Sequence, residues 1–496
     1  MIRRLFLFLL SIFTLLILIL IGNTYLHQSQ QIKVTPTAPL IIDEIAAARR
    51  LADSLRFTTI SSQTDLSSNA SQFEQLHAFI DQSFPHIHTK LLRETIGASS
   101  LLYKWEGSDP SAKPILLMAH QDVVPIAPGT EQLWQEAPFG GVVKDGFIWG
   151  RGAWDDKGNL FSIMEAVENL LASGYQPKQT IYLAFGHDEE VGGLHGAKEI
   201  ANLLESRHIE FDFILDEGML VTEGILKGLD SSAALIGVAE KGYASVHLSL
   251  DAVPGHSSMP PQQTAIGMMS VALSKLEQNQ LPGKIRGVAL DMFNTIAPEM
   301  HGINCVMLSN LWLFSPLLQH ELEKSGSTNA MLRTTTALTM VHAGNKDNVL
   351  PGNIQATVNF RTLPGDTQAS VIEHVKNTVA NANIHIQNMV GNSEPSRVSP
   401  TTSNAYQTLN RTIRETFANT IVAPGLMLGA TDSRYFEKLS NNIFKFSPVR
   451  AGNDDLPRFH GTNERISVKN YAEMIRFYHQ LILNSSKPSN EKEKAK

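Results

Sequence analysis

Two adjacent glutamates, Glu189 and Glu190, stand directly after an apolar run from Thr180 to Phe185, within Gly186-His187-Asp188-Glu189-Glu190-Val191-Gly192-Gly193. Neighbouring carboxylates repel each other and are costly to desolvate unless a cation or a proton compensates them. A metal ion resolves that conflict, because one glutamate can bind it while the other handles protons. The chain offers further ligands. His120-Gln121-Asp122 follows the apolar run Ile115 to Ala119, and residues i and i+2 of an extended chain point the same way. A carboxylate beside a ligating imidazole fixes its tautomer and raises its basicity. Among 17 histidines roughly one such triplet arises by chance, so alone it reads equally as a strand-end pair. Gly150-Arg151-Gly152-Ala153-Trp154-Asp155-Asp156-Lys157-Gly158 is more specific. Its glycines permit a tight loop, and its aspartates fall where a helix begins, either as caps or as a rigidly held ligand at Asp155. Asp216-Glu217-Gly218 follows another apolar run, Phe211 to Leu215, and Phe459-His460-Gly461-Thr462-Asn463-Glu464 supplies a second histidine.

These residues must be positioned by regular elements. Ile115 to Ala119, Thr180 to Phe185 and Phe211 to Leu215 read as buried strands, and Leu160, Ile163, Met164, Val167, Leu170 and Leu171 form one helical face. Phe73, Leu76, Ile80 and Phe84 do the same earlier. Strand and helix in alternation predict an α/β domain with a mainly parallel central sheet and helices on both faces. His120, Glu190 and Asp216 then share the carboxyl edge of that sheet, where ligands bind in open α/β folds. After Glu240 the pattern changes. Ala244 to Leu250 and much of Ala337 to Phe360 alternate apolar and polar residues, the signature of a sheet with one solvated face and hence of an inserted α+β unit. The division expected is a signal anchor or transmembrane helix (1–24), a linker (25–41), a catalytic domain in two segments (42–240 and 396–484), an inserted lid and dimerisation domain (241–395) and a disordered tail (485–496).

Arg3-Arg4 before the apolar run Leu5 to Ile21 reads as an export signal, with an uncleaved anchor favoured because no clear small-x-small cleavage site follows. The basic flank keeps the N-terminus cytoplasmic and puts the body outside, on the periplasmic or extracellular side. A net charge of -7 over 496 residues, without a basic patch interleaved with aromatics, excludes nucleic-acid binding. The single cysteine, Cys305, excludes an internal disulfide and a thiolate-rich metal site, and reads as a small core residue.

The five motifs, in this order and spacing, resemble the dinuclear-zinc family that includes aminoacylase, carboxypeptidase S and glutamate carboxypeptidase. Ser309 to Phe314 and Leu332 to Thr339 look like the branch of carboxypeptidase S and the N-fatty-acyl-amino-acid synthase/hydrolase. The resemblance covers roughly Ile42 to Leu483. It implies two zinc ions per chain, replaceable by cobalt or manganese, bridged by Asp155. His120 and Asp216 would complete one ion's ligands, and Glu190 and His460 the other's. Glu189 would be the general base and Asp122 would orient His120. Asp155 is preferred to Asp156 because the family pattern reads Asp-x-Lys-Gly. His256, in Pro254-Gly255-His256-Ser257-Ser258, is similar to the family's lid histidine, which in dimeric relatives reaches the partner's site. Asn348, Arg361 and Arg434 resemble substrate-carboxylate contacts, a task for which the planar arginine fork is suited; a structural salt bridge is the alternative for the arginines. Apolar residues between Gly283 and Ser327, among them Met292, Phe293, Trp312, Leu313 and Leu317, would line an acyl-chain groove or simply add core. The expected activity is hydrolysis of an amide beside a free carboxylate in a small peptide, or alternatively in an N-acyl amino acid. A non-catalytic binding protein on the same fold is the remote alternative, and it would be expected to have lost a ligand or Glu189.

Overall fold

The computed structural model describes residues 1–65, 67, 69–226 and 228–486; from residue 487 onward the expected tail lies outside them. The strands Ile115–His120, Ile181–Gly186 and Phe213–Asp216 are buried along their whole length and run parallel, with Ile115–His120 in the middle. Continuous apolar runs suit strands covered on both faces. Alternate residues serve two cores. Ile115, Leu117 and Ala119 face a cluster with helices Glu44–Ser54, Lys157–Ala172 and Val468–Ser485. Leu116 and Met118 face the opposite cluster, built on helix Ala197–Ser206.

The sheet has ten strands. An antiparallel hairpin, Leu92–Ile96 with Ser100–Trp105, closes one edge against Ile181–Gly186. On the other side Ile443–Lys445 continues the parallel set beside Phe213–Asp216. Ala233–Glu240 then reverses direction and pairs in parallel with Ile421–Met427. Mixed direction is confined to the flanks, and the centre that carries the site is parallel.

A second sheet is antiparallel throughout. Gly242–Asp251 pairs with Asn353–Thr362 and His385–Asn388, and Thr335–Ala343 forms the far edge. Ala244, Val246, Leu248 and Leu250 alternate into a core under helices Ala265–Gln278 and Gln368–Val379. The chain leaves and re-enters the large sheet at one place, where the Ser396 N–H donates to the Glu240 carbonyl (3.1 Å) and the Glu240 N–H donates to Ser396 Oγ (2.8 Å).

Between strands of this second unit, helices Gly287–Ile296, Gly302–Ser309, Leu311–Leu322 and Gly326–Leu332 leave the small sheet. Met292 and Ile296 are buried against Leu229, Leu235 and Ala423 of the catalytic unit, with Phe293 packed beside them. These residues are core. Trp312, Leu313 and Leu317 are exposed and line no enclosed acyl groove. Cys305 is half-buried on helix Gly302–Ser309 rather than a core residue. Helix Ile2–Leu26 buries no residue. The stretch after it is partly pinned: Gln31 Oε1 accepts from the Val422 N–H and Arg414 Nη1, and Gln31 Nε2 donates to the Val422 carbonyl.

Candidate metal centre

Three chain segments meet over the carboxyl edge of the parallel strands. His120 ends its strand. Glu189 and Glu190 occupy the turn after Ile181–Gly186, and Asp155 comes from the glycine loop that leads into helix Lys157–Ala172. The Asp155 carboxylate lies between two imidazoles, with Oδ1 3.0 Å from His120 Nε2 and Oδ2 2.7 Å from His460 Nε2. Glu190 Oε1 is 3.4 Å from the same His460 nitrogen. One donor atom each from His120, Asp155 and Glu190 lie within 4.8 Å of one another. Asp156, the neighbouring acid, turns elsewhere: it accepts the His120 backbone N–H (3.1 Å) and a hydrogen bond from Asn159 Nδ2.

Glu464 holds the two loops in register. Its Oε1 accepts the N–H groups of Gly152, Trp154 and Asp155 at 3.0, 2.9 and 3.2 Å, and its Oε2 pairs with Arg151 at 2.6 Å. Arg151 in turn donates to the carbonyls of His460 and Gly461. His460 has φ of +55°, a conformation costly for a residue with a Cβ; these two bonds and a ring stacked on Phe459 at 4.5 Å hold it there. Asp122 is equally well tied. It accepts the N–H groups of Glu189 (3.2 Å) and Glu190 (3.1 Å) and the Ser61 hydroxyl, and its Oδ1 lies 3.3 Å from His120 Nδ1. The nearer partner of that nitrogen is the Asp122 carbonyl, at 3.0 Å.

The site is crowded with acids. Burial pushes Glu189, Asp156, Glu217 and Asp432 well above the usual carboxylate range, and repulsion among these carboxylates adds to it. Burial acts on Asp155 too, but the two imidazoles hold it below that range. Hydrogen bonds to Asp155 and Glu190 raise His460 to about 10. Among the described residues, the long 3.4 Å approach to His460 is what Glu190 Oε1 has for a partner, and both carboxylate oxygens of buried Asp432 lack a hydrogen bond. An Asp155 carboxylate between two imidazoles, with Glu190 beside one of them, is what a dication satisfies, and a histidine–carboxylate set without thiolate suits zinc. The residues fit a metal.

Asp216 lies at the end of Phe213–Asp216, outside the tight group, with its oxygens on the N–H groups of Glu217 (3.0 Å) and Ser433 (2.8 Å). Arg361, from the small sheet, stacks on Tyr243 at 4.8 Å, and Arg434, from the short helical turn Asp432–Phe436, on Tyr435 at 4.9 Å. Burial lowers the proton affinity of Arg361, and the Arg434 charge adds to that. Neither arginine is ion-paired to a carboxylate among the described residues. His256 and Asn348 sit together at the tip of the small unit, where His256 pairs with Val349; both are exposed and neither hydrogen-bonds to the acid cluster among the described residues. Glu217, Asp432 and Glu464 were not singled out from sequence, although each lies within a segment that was.

Comparison with known proteins agrees with this chemistry. Residues 116–484 match the family model for peptidase family M20/M25/M40. The chain is 40% identical to a probable carboxypeptidase S-like 2 of Dictyostelium discoideum, over 95% of this chain and 92% of that protein. It is also 40% identical to the N-fatty-acyl-amino acid synthase/hydrolase PM20D1 of Xenopus tropicalis, over 90% and 88%. Its fold matches the M20 family metallo-carboxypeptidase Sso-CP2 from Sulfolobus solfataricus with a TM-score of 0.65 at 18% identity, covering 89% of this chain and 99% of that one. With the acids, the histidines and their scaffold in place, the chain belongs to peptidase family M20/M25/M40 and is a metallohydrolase.

Proposed function

We propose that the enzyme holds two zinc ions and cleaves the amide bond of small substrates that carry a free carboxylate, as a carboxypeptidase S-like peptidase. The observation that carries the reading is the Asp155 carboxylate, which offers one oxygen towards each of two imidazoles. Asp155 would be shared by both ions, with His120 and Asp216 completing one set and Glu190 and His460 the other. Bound zinc supplies the positive charge that acidifies a water and polarises the scissile carbonyl.

The chain's own residues do the rest. Glu189, on the turn beside Glu190, takes the proton from the attacking water and delivers it to the leaving amine nitrogen. Asp122 holds the backbone of both glutamates and orients His120. Arg361 and Arg434, neither ion-paired to a carboxylate among the described residues, bind the substrate carboxylate. His256, with Asn348 beside it, is brought to the substrate by the lid, of this chain or of a partner in a homodimer, and donates to the developing oxyanion. Helix Ile2–Leu26 anchors the enzyme in a membrane with the site outside the cytoplasm.

A second substrate class, N-acyl amino acids, is favoured by the identity to PM20D1, an N-fatty-acyl-amino acid synthase/hydrolase. A competition assay decides between them. Zinc-loaded full-length enzyme in detergent receives a long-chain N-acyl amino acid and an unblocked dipeptide together, and mass spectrometry follows both products. Preferential dipeptide cleavage supports the peptidase reading, and preferential release of fatty acid replaces it with the acyl-amino-acid reading.

A further inference from the structure

Helix Leu311–Leu322 contains Leu311, Trp312, Leu313, Phe314, Leu317, Leu318 and Leu322, yet none of its residues is buried. Its outward positions are 312, 313, 316, 317, 320 and 321, a stripe that marks one helical face, apolar in its first half and polar at His320 and Glu321. That face presents Trp312 at 59% exposure and Leu317 at 51%, with Leu313 between them and Ile303 of the preceding helix at 66%. A clustered apolar face of this kind, unlike scattered surface leucines, marks an interaction site.

The occupant follows from what stands next to it. The N-terminal helix packs on Gly302–Ser309; Leu16, Leu20, Asn23 and Thr24 are half-covered along one face, and Gly22 and, just past the helix end, His27 are half-covered as well. The joint is polar and specific. Asn310, fully buried, donates to the Leu20 carbonyl and Thr24 Oγ1 and accepts from Asn23 Nδ2 at 3.2, 3.2 and 3.0 Å, while His27 meets Ser309 at 3.1 Å. Leu16 and Leu20 belong to the apolar run that ends at Ile21. At ~1.5 Å rise per residue, Leu16 lies about 8 Å inside the run's outer end. The hydrogen-bonded joint at Leu20, Asn23, Thr24 and His27 therefore sits at the outer boundary of the run, and interfacial helices bury their apolar face by about 5–10 Å from such a boundary.

We propose that helices Gly302–Ser309 and Leu311–Leu322 form a membrane-docking surface, with Trp312, Leu313 and Leu317 seated in the outer lipid leaflet beside the anchor. The proposal rests on the reading of Ile2–Leu26 as an anchor. Two contacts rather than one would then fix the orientation of the catalytic body over the bilayer. Trp312 suits the place, because an indole ring prefers the boundary between acyl chains and headgroups.

The other four tryptophans, Trp105, Trp134, Trp149 and Trp154, are buried in the catalytic unit, so Trp312 is a built-in probe. The test uses the full-length chain in phosphatidylcholine vesicles whose acyl chains carry bromine, with tryptophan emission compared against unbrominated lipid. In parallel, a bimane label at Leu15→Cys in a Cys305→Ser background reports the anchor itself, read in vesicles whose acyl chains carry nitroxide. The expected result is quenching of tryptophan emission that disappears in Trp312→Phe, together with a quenched label at position 15. A quenched label without Trp312-dependent quenching overturns the docking surface and leaves the anchor standing; two hairpins covering each other in a dimer would give that outcome. An unquenched or cut-away label at position 15 overturns both. Trp312 and Leu15 are exposed, so neither change enters a core.

Discussion

Glu189 and Glu190 are neighbours in sequence but occupy different surroundings. Glu190 approaches His460, whereas burial, with Asp432, Glu190 and Asp122 nearby, raises the proton affinity of Glu189 against the opposing charge of His120. Replacing Glu189 by Gln removes the base while leaving the other acids in place. We expect unchanged metal content by elemental analysis and a kcat lower by roughly 10²–10⁴-fold; near-native turnover would defeat the assigned role. Glu464→Gln probes positioning instead. It leaves Arg151 buried without its ion pair, which should cost about 3 kcal/mol or more in urea unfolding. Metal affinity should fall roughly 10–100-fold because both loops lose their shared support. Stability lost with metal affinity intact would make Glu464 purely structural. His120, Asp155, Glu190 and His460 were legible in the sequence because each sits beside a strand end or a glycine turn that marks it locally. Glu464 and Asp432 were not. The Asp155 N–H that Glu464 accepts and the Asp216 charge that repels Asp432 lie hundreds of residues away along the chain, and no local spacing encodes such proximity.

The junction between the two sheets carries a charge that the native fold disfavours. Lys241 follows Glu240 at the crossing point, is buried, and donates to the carbonyls of Ala330 and Arg333 at 2.8 Å each. It thereby ties the helical insert to the junction. Burial, helped by nearby Arg361, lowers its pKa from 10.5 to about 7. Between those values the unfolded chain binds a proton that the native chain does not, so native stability falls as pH drops. Below about 7 both states are protonated and the loss is complete. In Lys241→Met that dependence is absent. The stability difference between variant and wild type should shift in the variant's favour by up to about 1.4 kcal/mol per pH unit from pH 10 to 7 and then level off. Urea titrations at each pH would read it, and a pH-independent difference would rule the assignment out. The regular elements around this junction were well marked. Strand Gly242–Asp251 announces itself by strict alternation, and the parallel strands by unbroken apolar runs. The destination of helix Gly287–Ile296 was not marked, because an apolar helix looks the same whether it covers its own small sheet or, as here, strand Ile421–Met427 of the other unit.

The protein as a whole combines a hydrolase body with a 25-residue helix none of whose residues the body fully buries. At ~1.5 Å per residue that helix is about 37 Å long, enough for a hydrocarbon core of about 30 Å. A chain beginning at residue 28 loses the helix but keeps Gln31, which bridges Arg414 and the backbone of Val422. Asn310 loses Leu20, Asn23 and Thr24 as partners, yet its amide still donates to the Val306 carbonyl, so removal leaves that group satisfied. The shortened chain should therefore fold, and its kcat/KM on a soluble dipeptide should stay within about twofold, less than ~0.5 kcal/mol of barrier. Membrane attachment should change far more. After alkaline carbonate washing, the full chain should remain in the pellet and the shortened chain should appear in the supernatant. A few interfacial side chains around Trp312 hold a bilayer reversibly, whereas a spanning helix holds it in effect permanently. If both chains stayed in the pellet, the body itself would be the principal anchor; if both were released, Ile2–Leu26 would have been removed during export or would not span.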